Sequence, residues 1–294
     1  MTHPRYQGVW LPLVSPFRDG RLDEASVRRM VARYAGHVDG FILAATTGEG
    51  MALSRDETRS LADWTSEALA AAGQDTPVLI GLCGAVTANV VEAVSWAQDL
   101  PADGFLIACP YYVRPTQEGL RLHFEAIADA TARDILVYNI PYRTGVNMSN
   151  DTLLGLAERP NIVGVKDCCA DAAQSLDLIA RKPDGFSVLC GEDAGFLTAL
   201  RQGADGAVAA SAHLRPEMFH ILYRLAQDDR WTEAERVWAD LAAIPRMLFA
   251  EPSPSALKHA LWRTGEIDSA ELRLPMTPPS AGLMARLEAY LARA

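Results

Sequence analysis

Short apolar runs rich in β-branched residues recur about every 20 to 30 residues along this chain, and stretches of helical period fill the intervals. That alternation constrains the fold more than any other feature. Strands joined through a helix run parallel, and a parallel sheet needs helices over its faces. Eight such runs are read, at residues 8–16, 40–46, 77–83, 104–109, 135–139, 162–166, 186–190 and 206–210. Eight successive βα units predict a closed (β/α)8 TIM barrel of the α/β class. An open doubly wound sheet is the competing architecture, but no glycine-rich dinucleotide fingerprint follows an early strand.

Helix starts are legible between the runs. Ser54-Arg55-Asp56-Glu57 has the form of a capping box, and Thr116-Gln117-Glu118 opens another helical stretch. After the eighth run only helical patterns follow, at 216–227, 232–249, 254–264 and 280–293, with a proline-rich turn at 274–279. The chain therefore divides into a barrel, residues 1–225, and a C-terminal helical region, residues 226–294, with no low-complexity linker between them. A length of 294 residues suits a barrel of about 250 residues with an appendage.

A net charge of −10 and a pI near 5.1 argue against nucleic acid or an anionic membrane as partner. The opening residues 1–6 have no apolar core of signal-peptide type and no run reaches the length of a membrane span, so a cytoplasmic protein is expected. The five cysteines, Cys83, Cys109, Cys168, Cys169 and Cys190, include no C-x-x-C pair, and the six histidines show no ligand spacing beside them. They read as reduced core thiols, and no metal is expected.

The chain spells three lysines against twenty-four arginines, and one of the three, Lys166, lies in the apolar run 161–167. A guanidinium stays protonated, whereas an ε-amine can lose its proton and act as a nucleophile. Lys166 is therefore a candidate Schiff-base lysine; it also reads as a strand-end lysine that snorkels to solvent or pairs with Asp167. In a barrel of this kind the active site gathers at the C-terminal ends of the strands. Lys166 ends the sixth run there, alongside Thr46-Thr47-Gly48-Glu49 after the second, Tyr111-Tyr112 after the fourth, and Tyr138-Asn139-Ile140-Pro141-Tyr142-Arg143 at the fifth. Each has a plainer reading: a helix-capping turn, core aromatics, a strand stop, a solvated arginine. Lys182 and Lys258 read as structural or surface lysines.

With these motifs in order, the chain resembles the pyruvate-dependent class I aldolases that include dihydrodipicolinate synthase and N-acetylneuraminate lyase. The resemblance runs from Gly8-Val9-Trp10 to Arg273-Leu274-Pro275-Met276-Thr277-Pro278, and Arg143-Thr144-Gly145 looks like the synthase branch. It implies a lyase of lysine biosynthesis that condenses pyruvate with L-aspartate 4-semialdehyde, with a covalent imine on Lys166 and no cofactor. Tyr138 would transfer protons, Thr46 would link it to Tyr112 of a second subunit, and Thr47 would hold the pyruvate carboxylate. Arg143 would receive the carboxylate of the acceptor, Gly191 and Val208 would line the pocket, and a homodimer or homotetramer is expected.

Departures from the pattern are Ala45 where glycine is usual, Gly50 where serine or alanine is common, and His213 where asparagine is frequent. Ala85 and Asn89 stand where lysine-inhibited members carry an asparagine and a glutamate, so inhibition by L-lysine is not expected. Three alternatives remain open. One is a related Schiff-base enzyme, such as a 2-keto-3-deoxy sugar acid aldolase, an N-acetylneuraminate lyase-like enzyme or a hydratase-aldolase; the others are a metal-dependent pyruvate aldolase and a non-catalytic keto-acid-binding barrel.

Overall fold

A computed structural model describes residues 6–293, so most of the opening segment read for a signal peptide lies outside the described residues. Eight parallel strands close into a barrel: Gly8–Pro12, Gly40–Leu43, Val78–Leu82, Gly104–Ala108, Asp134–Asn139, Ile162–Asp167, Ser187–Cys190 and Gly206–Val208. Each pairs with its neighbours in sequence, and the first closes the ring by pairing Gly8 with Gly206 and Trp10 with Gly40. All eight lie within or beside the predicted runs. Five end earlier than predicted: the third and fourth by one residue, the second at Leu43, the first at Pro12, and the last at Val208, after which Ala210–His213 forms a short 3-10 helix.

Side chains alternate across each strand, so parity sorts them into two apolar layers. Inward-facing Trp10, Ile42, Leu79, Leu106, Leu136 and Val208 fill the barrel as one cluster, together with Tyr138. Outward-facing Val9, Phe41, Ile80, Phe105, Val137 and Val165 pack beneath the helices in the other. Burying each such side chain contributes about 1.5–3 kcal/mol, so a one-residue slip of register would be heavily penalised. The inner layer is tight: a Cβ on Gly40 would lie 2.3 Å from the Trp10 ring, and only glycine leaves room for that indole.

The helices start where their caps predict. Ser54 Oγ accepts from the Glu57 N–H at 3.2 Å while the Glu57 carboxylate accepts from the Ser54 N–H at 2.9 Å, completing the capping box. Thr116 caps Gln117–Asp129 in the same way, accepting from the Gly119 N–H. After the eighth strand come the helices Pro216–Gln227, which runs across the expected boundary at 225, Trp231–Leu241, Ala243–Leu248, Ser255–Arg263 and Ala281–Leu291. The helix expected over 232–249 is two. Pro245 has no N–H to donate to the Leu241 carbonyl, so the first helix stops and a second begins. A hairpin of Phe17–Arg18 with Arg21–Leu22 was not anticipated, although its Asp19-Gly20 corner, with φ of 53° and 77°, is a known hairpin signal. No helix of the described residues is long and apolar enough to cross a membrane.

Candidate active site

Parity turns Lys166 inward on the sixth strand, in register with Tyr138 on the fifth. Its Nζ lies 4.2 Å from the centroid of the Tyr138 ring, and the residue is only 5% exposed. It does not snorkel. Nor does it pair with Asp167, which faces the other way and accepts from the Cys169 N–H at 2.9 Å and from Ser175 Oγ at 2.5 Å. Room for the long side chain comes from the seventh strand's end, where a Cβ on Gly191 would sit 2.9 Å from Lys166 Cε and 2.2 Å from Cys168 Sγ.

Lys166, Tyr138, Thr46, Thr47, Arg143, Gly191 and Val208 line one pocket at the C-terminal mouth of the barrel. A wider cavity of about 570 Å³ adjoins it, sharing Thr46, Tyr138 and Arg143 and walled by Ala45, Leu82, Leu106, Tyr111 and Met276. The turn after the second strand presents the two threonines, closed by the Glu49 N–H on the Thr46 carbonyl and pinned by Ser15 Oγ on the Gly48 carbonyl. Arg143 stands on the short helix Pro141–Thr144, its guanidinium 5.7 Å from the Tyr142 ring. Asn139 serves the loop instead: its side-chain NH2 donates to Asn147 Oδ1 and its side-chain Oδ1 accepts from the Met148 N–H.

One predicted residue stays apart. Tyr112 is 89% exposed, with φ of 72° and its N–H on the Thr144 carbonyl. Tyr142 of the fifth-strand segment also lines the pocket, as do two residues not singled out on sequence, Asp193 and Ser253. The acidic pair Glu192-Asp193, directly after the seventh strand's rim, was the available signal. Asp193 is buried and accepts from the Ser211 N–H at 2.6 Å; burial raises its carboxyl.

Burial pushes the Tyr138 phenol well above its usual range; neighbouring Cys168 adds to this, while a hydrogen bond with Thr46 and the charge of Arg143 act against it. Tyr138 is therefore protonated in the resting pocket. Burial also holds the Cys109 and Cys190 thiols up at about 12. The expectation of core cysteines holds for Cys109 and Cys168 alone, since Cys169 and Cys190 are partly exposed and Cys83 is exposed just past the end of its strand. Among the described residues no group of three or more His, Cys, Asp or Glu could hold a metal ion.

His213 is a structural residue. Its Nε2 accepts from the Val14 N–H, so the proton sits on Nδ1 and is donated to the Ala210 carbonyl at 2.8 Å. Burial lowers its pKa from 6.5 to about 4. Between those values the unfolded chain binds the proton and the folded one does not, so stability falls as pH drops from 6.5 toward 4, by at most about 1.4 kcal/mol per pH unit. His213→Asn should flatten that part of the Tm-against-pH curve; an unchanged slope would refute the assignment.

Of the two other lysines, Lys182 is part-buried and pairs with Asp205, the residue just before the eighth strand, as a structural lysine does. Lys258 is not a surface residue: it is completely buried.

The profile of the dihydrodipicolinate synthetase family matches residues 5–294. A Clostridium acetobutylicum protein named 4-hydroxy-tetrahydrodipicolinate synthase 2 is 40% identical over 288 residues, 98% of this chain and 100% of that protein. The solved 4-hydroxy-tetrahydrodipicolinate synthase of Methylacidiphilum fumariolicum SolV superposes with a TM-score of 0.93 at 34% identity, covering 98% of this chain and 96% of the other. A dihydrodipicolinate synthase variant described as the first monomeric one gives the same score at 32% identity, again over 98% and 96% of the two chains. With a closed barrel, an inward lysine at its mouth and likeness over nearly its whole length, this chain belongs to the dihydrodipicolinate synthetase family.

Proposed function

We propose that this protein is a 4-hydroxy-tetrahydrodipicolinate synthase-type lyase that condenses pyruvate with L-aspartate 4-semialdehyde through an imine on Lys166. The observation that carries this reading is a buried primary amine against Tyr138, in a pocket that also holds Thr46, Thr47 and Arg143. The names of its relatives support the same reaction.

The Lys166 amine attacks the ketone carbon, and loss of water from the carbinolamine leaves an iminium. The iminium draws electrons from the methyl group, which loses a proton to become an enamine. The enamine carbon attacks the aldehyde, whose oxygen takes up a proton, and the acceptor's own amine then displaces Lys166 at the imine carbon, closing the ring and freeing the lysine. Tyr138, protonated at rest, gives a proton to the departing hydroxyl and later recovers one through Thr46. Thr47 holds the pyruvate carboxylate, and Gly191 and Val208 wall its pocket. The iminium is the electron sink, so the scheme uses no metal and no diffusible cofactor.

Tyr112, exposed on the single chain, completes the relay of a second copy, so the active form is a homodimer or tetramer of a cytoplasmic enzyme. In this reading the catalytic barrel is residues 1–225 and the helical region is 226–294. Borohydride trapping with pyruvate, read by mass, tests the imine: an adduct on Lys166 is expected, and none at any pH would leave only a keto-acid-binding barrel. A fully active monomer would remove the role of Tyr112.

Arg143 sets the acceptor. Its guanidinium supplies the local positive charge that an acidic protein lacks overall. Arg143→Ala should raise the KM for aspartate semialdehyde roughly 10- to 100-fold, the value of one charge-assisted hydrogen bond, while pyruvate trapping is unchanged. Equal use of acceptors without a carboxylate by the wild type would favour a sugar-acid or aromatic aldolase instead.

A further inference from the structure

Lys258 sits in the helix Ser255–Arg263 with none of its surface exposed, and nothing in the reaction above uses it. A buried ammonium is costly to keep even when paired, and an apolar residue of similar volume often serves stability as well. What the pair fixes in space is therefore the question. Its Nζ lies 2.6 Å from Oε1 of Glu49, 209 residues away in sequence. Oε2 of the same carboxylate accepts from the Arg273 N–H at 3.1 Å.

Glu49 is the last residue of the turn that presents Thr46 and Thr47. It holds φ 51° and ψ 35°, a left-handed conformation that a non-glycine residue keeps only with outside support. Its own N–H closes the turn on the Thr46 carbonyl. The support comes from the C-terminal region. The ring of Phe17, itself buried, lies 4.2 Å from both Lys258 Nζ and the Arg273 guanidinium. Arg273 reaches on to the Ala52 carbonyl at 2.7 Å and to the carboxylate of Glu57, just beyond the turn.

We propose that Lys258 and Glu49 are positioning residues for the pyruvate subsite: their buried ion pair holds the Thr46-Thr47-Gly48-Glu49 turn at the angle that aims Thr47 across the pocket at Lys166. The inference rests on the reading of Lys166 as the imine lysine and Thr47 as the carboxylate holder. Without the ammonium, Glu49 keeps only the Arg273 N–H on its carboxylate, the turn relaxes toward right-handed φ, and Thr47 moves off the carboxylate position. The helical region then has a part in substrate binding although its one lysine, Lys258, does not touch substrate.

The test is borohydride trapping of the full-length chain, titrated with pyruvate, in wild type and Lys258→Met. The half-saturating pyruvate concentration is expected to rise at least tenfold, with the pyruvate KM, while the adduct stays on Lys166. A merely structural role would lower Tm and the trapped amplitude but leave half-saturation in place. Should Lys258→Met not fold, Lys258→Met with Glu49→Gln removes the unpartnered charge and is expected to show the same tenfold rise. Half-saturation within twofold of wild type in either folded variant overturns the proposal. No adduct in the wild type is a separate result: it overturns the Lys166 reading, and the inference falls with it.

Discussion

Lys166→Met should abolish the borohydride adduct and lower kcat at least about 10³-fold, because no other side chain in the pocket is a primary amine. The same variant should be no less stable than the wild type. Lys166 is nearly sealed from water, and among the described residues it makes no salt bridge; its amine lies over the face of Tyr138, and the Glu192 and Asp193 carboxyls feel its charge from farther off. A methionine of similar shape removes the desolvation penalty and keeps the packing. A Tm equal to or above the wild type, with activity gone, is the expected pair of results. Retained trapping in Lys166→Met would mean the nucleophile is elsewhere, and a large drop in Tm would mean the amine was held for stability.

Tyr138→Phe separates proton transfer from imine geometry. The ring that lies over Nζ remains, while the hydroxyl linked to Thr46 is lost. Loss of a positioned proton donor costs about 10²- to 10⁴-fold in kcat. Trapping at equilibrium should still reach the wild-type amplitude, only more slowly. Because burial keeps the phenol protonated, the wild-type rate should not fall through any ionisation of Tyr138 across the neutral range. If Tyr138→Phe turns over at the wild-type rate, the hydroxyl carries no proton and water must serve instead.

The barrel was legible because its two periods do not overlap. Runs such as 77–83 alternate inner and outer side chains that are both apolar, which only a strand buried on both faces needs, and the helices between them announce their caps. What was misjudged is local. Pro245 broke a helix that periodicity alone carried through, and Asp19-Gly20 made a hairpin too short to register as two strands.

The pocket was legible through residue types that a core does not want, above all Lys166. The same scarcity of lysine applied to Lys258, but a lysine on a helix ordinarily has a solvent face to reach. Only the packing of that helix against Phe17 and Glu49 shows that this one has none. Tyr112 was legible as a motif, but on its own chain it is exposed and stands outside the pocket; only the proposed function gives it a place, in a second copy.

The Glu49 carboxylate is gripped from two points far along the chain, Lys258 and Arg273. During synthesis the eighth strand, ending at Val208, leaves the ribosome well before either does. The ring of strands is thus complete in covalent terms while the turn that faces Lys166 still lacks its outside supports. A nascent chain stopped after the barrel would carry the nucleophile and both threonines and still lack the contacts that hold that turn, so the site is finished among the last parts of the molecule to be made.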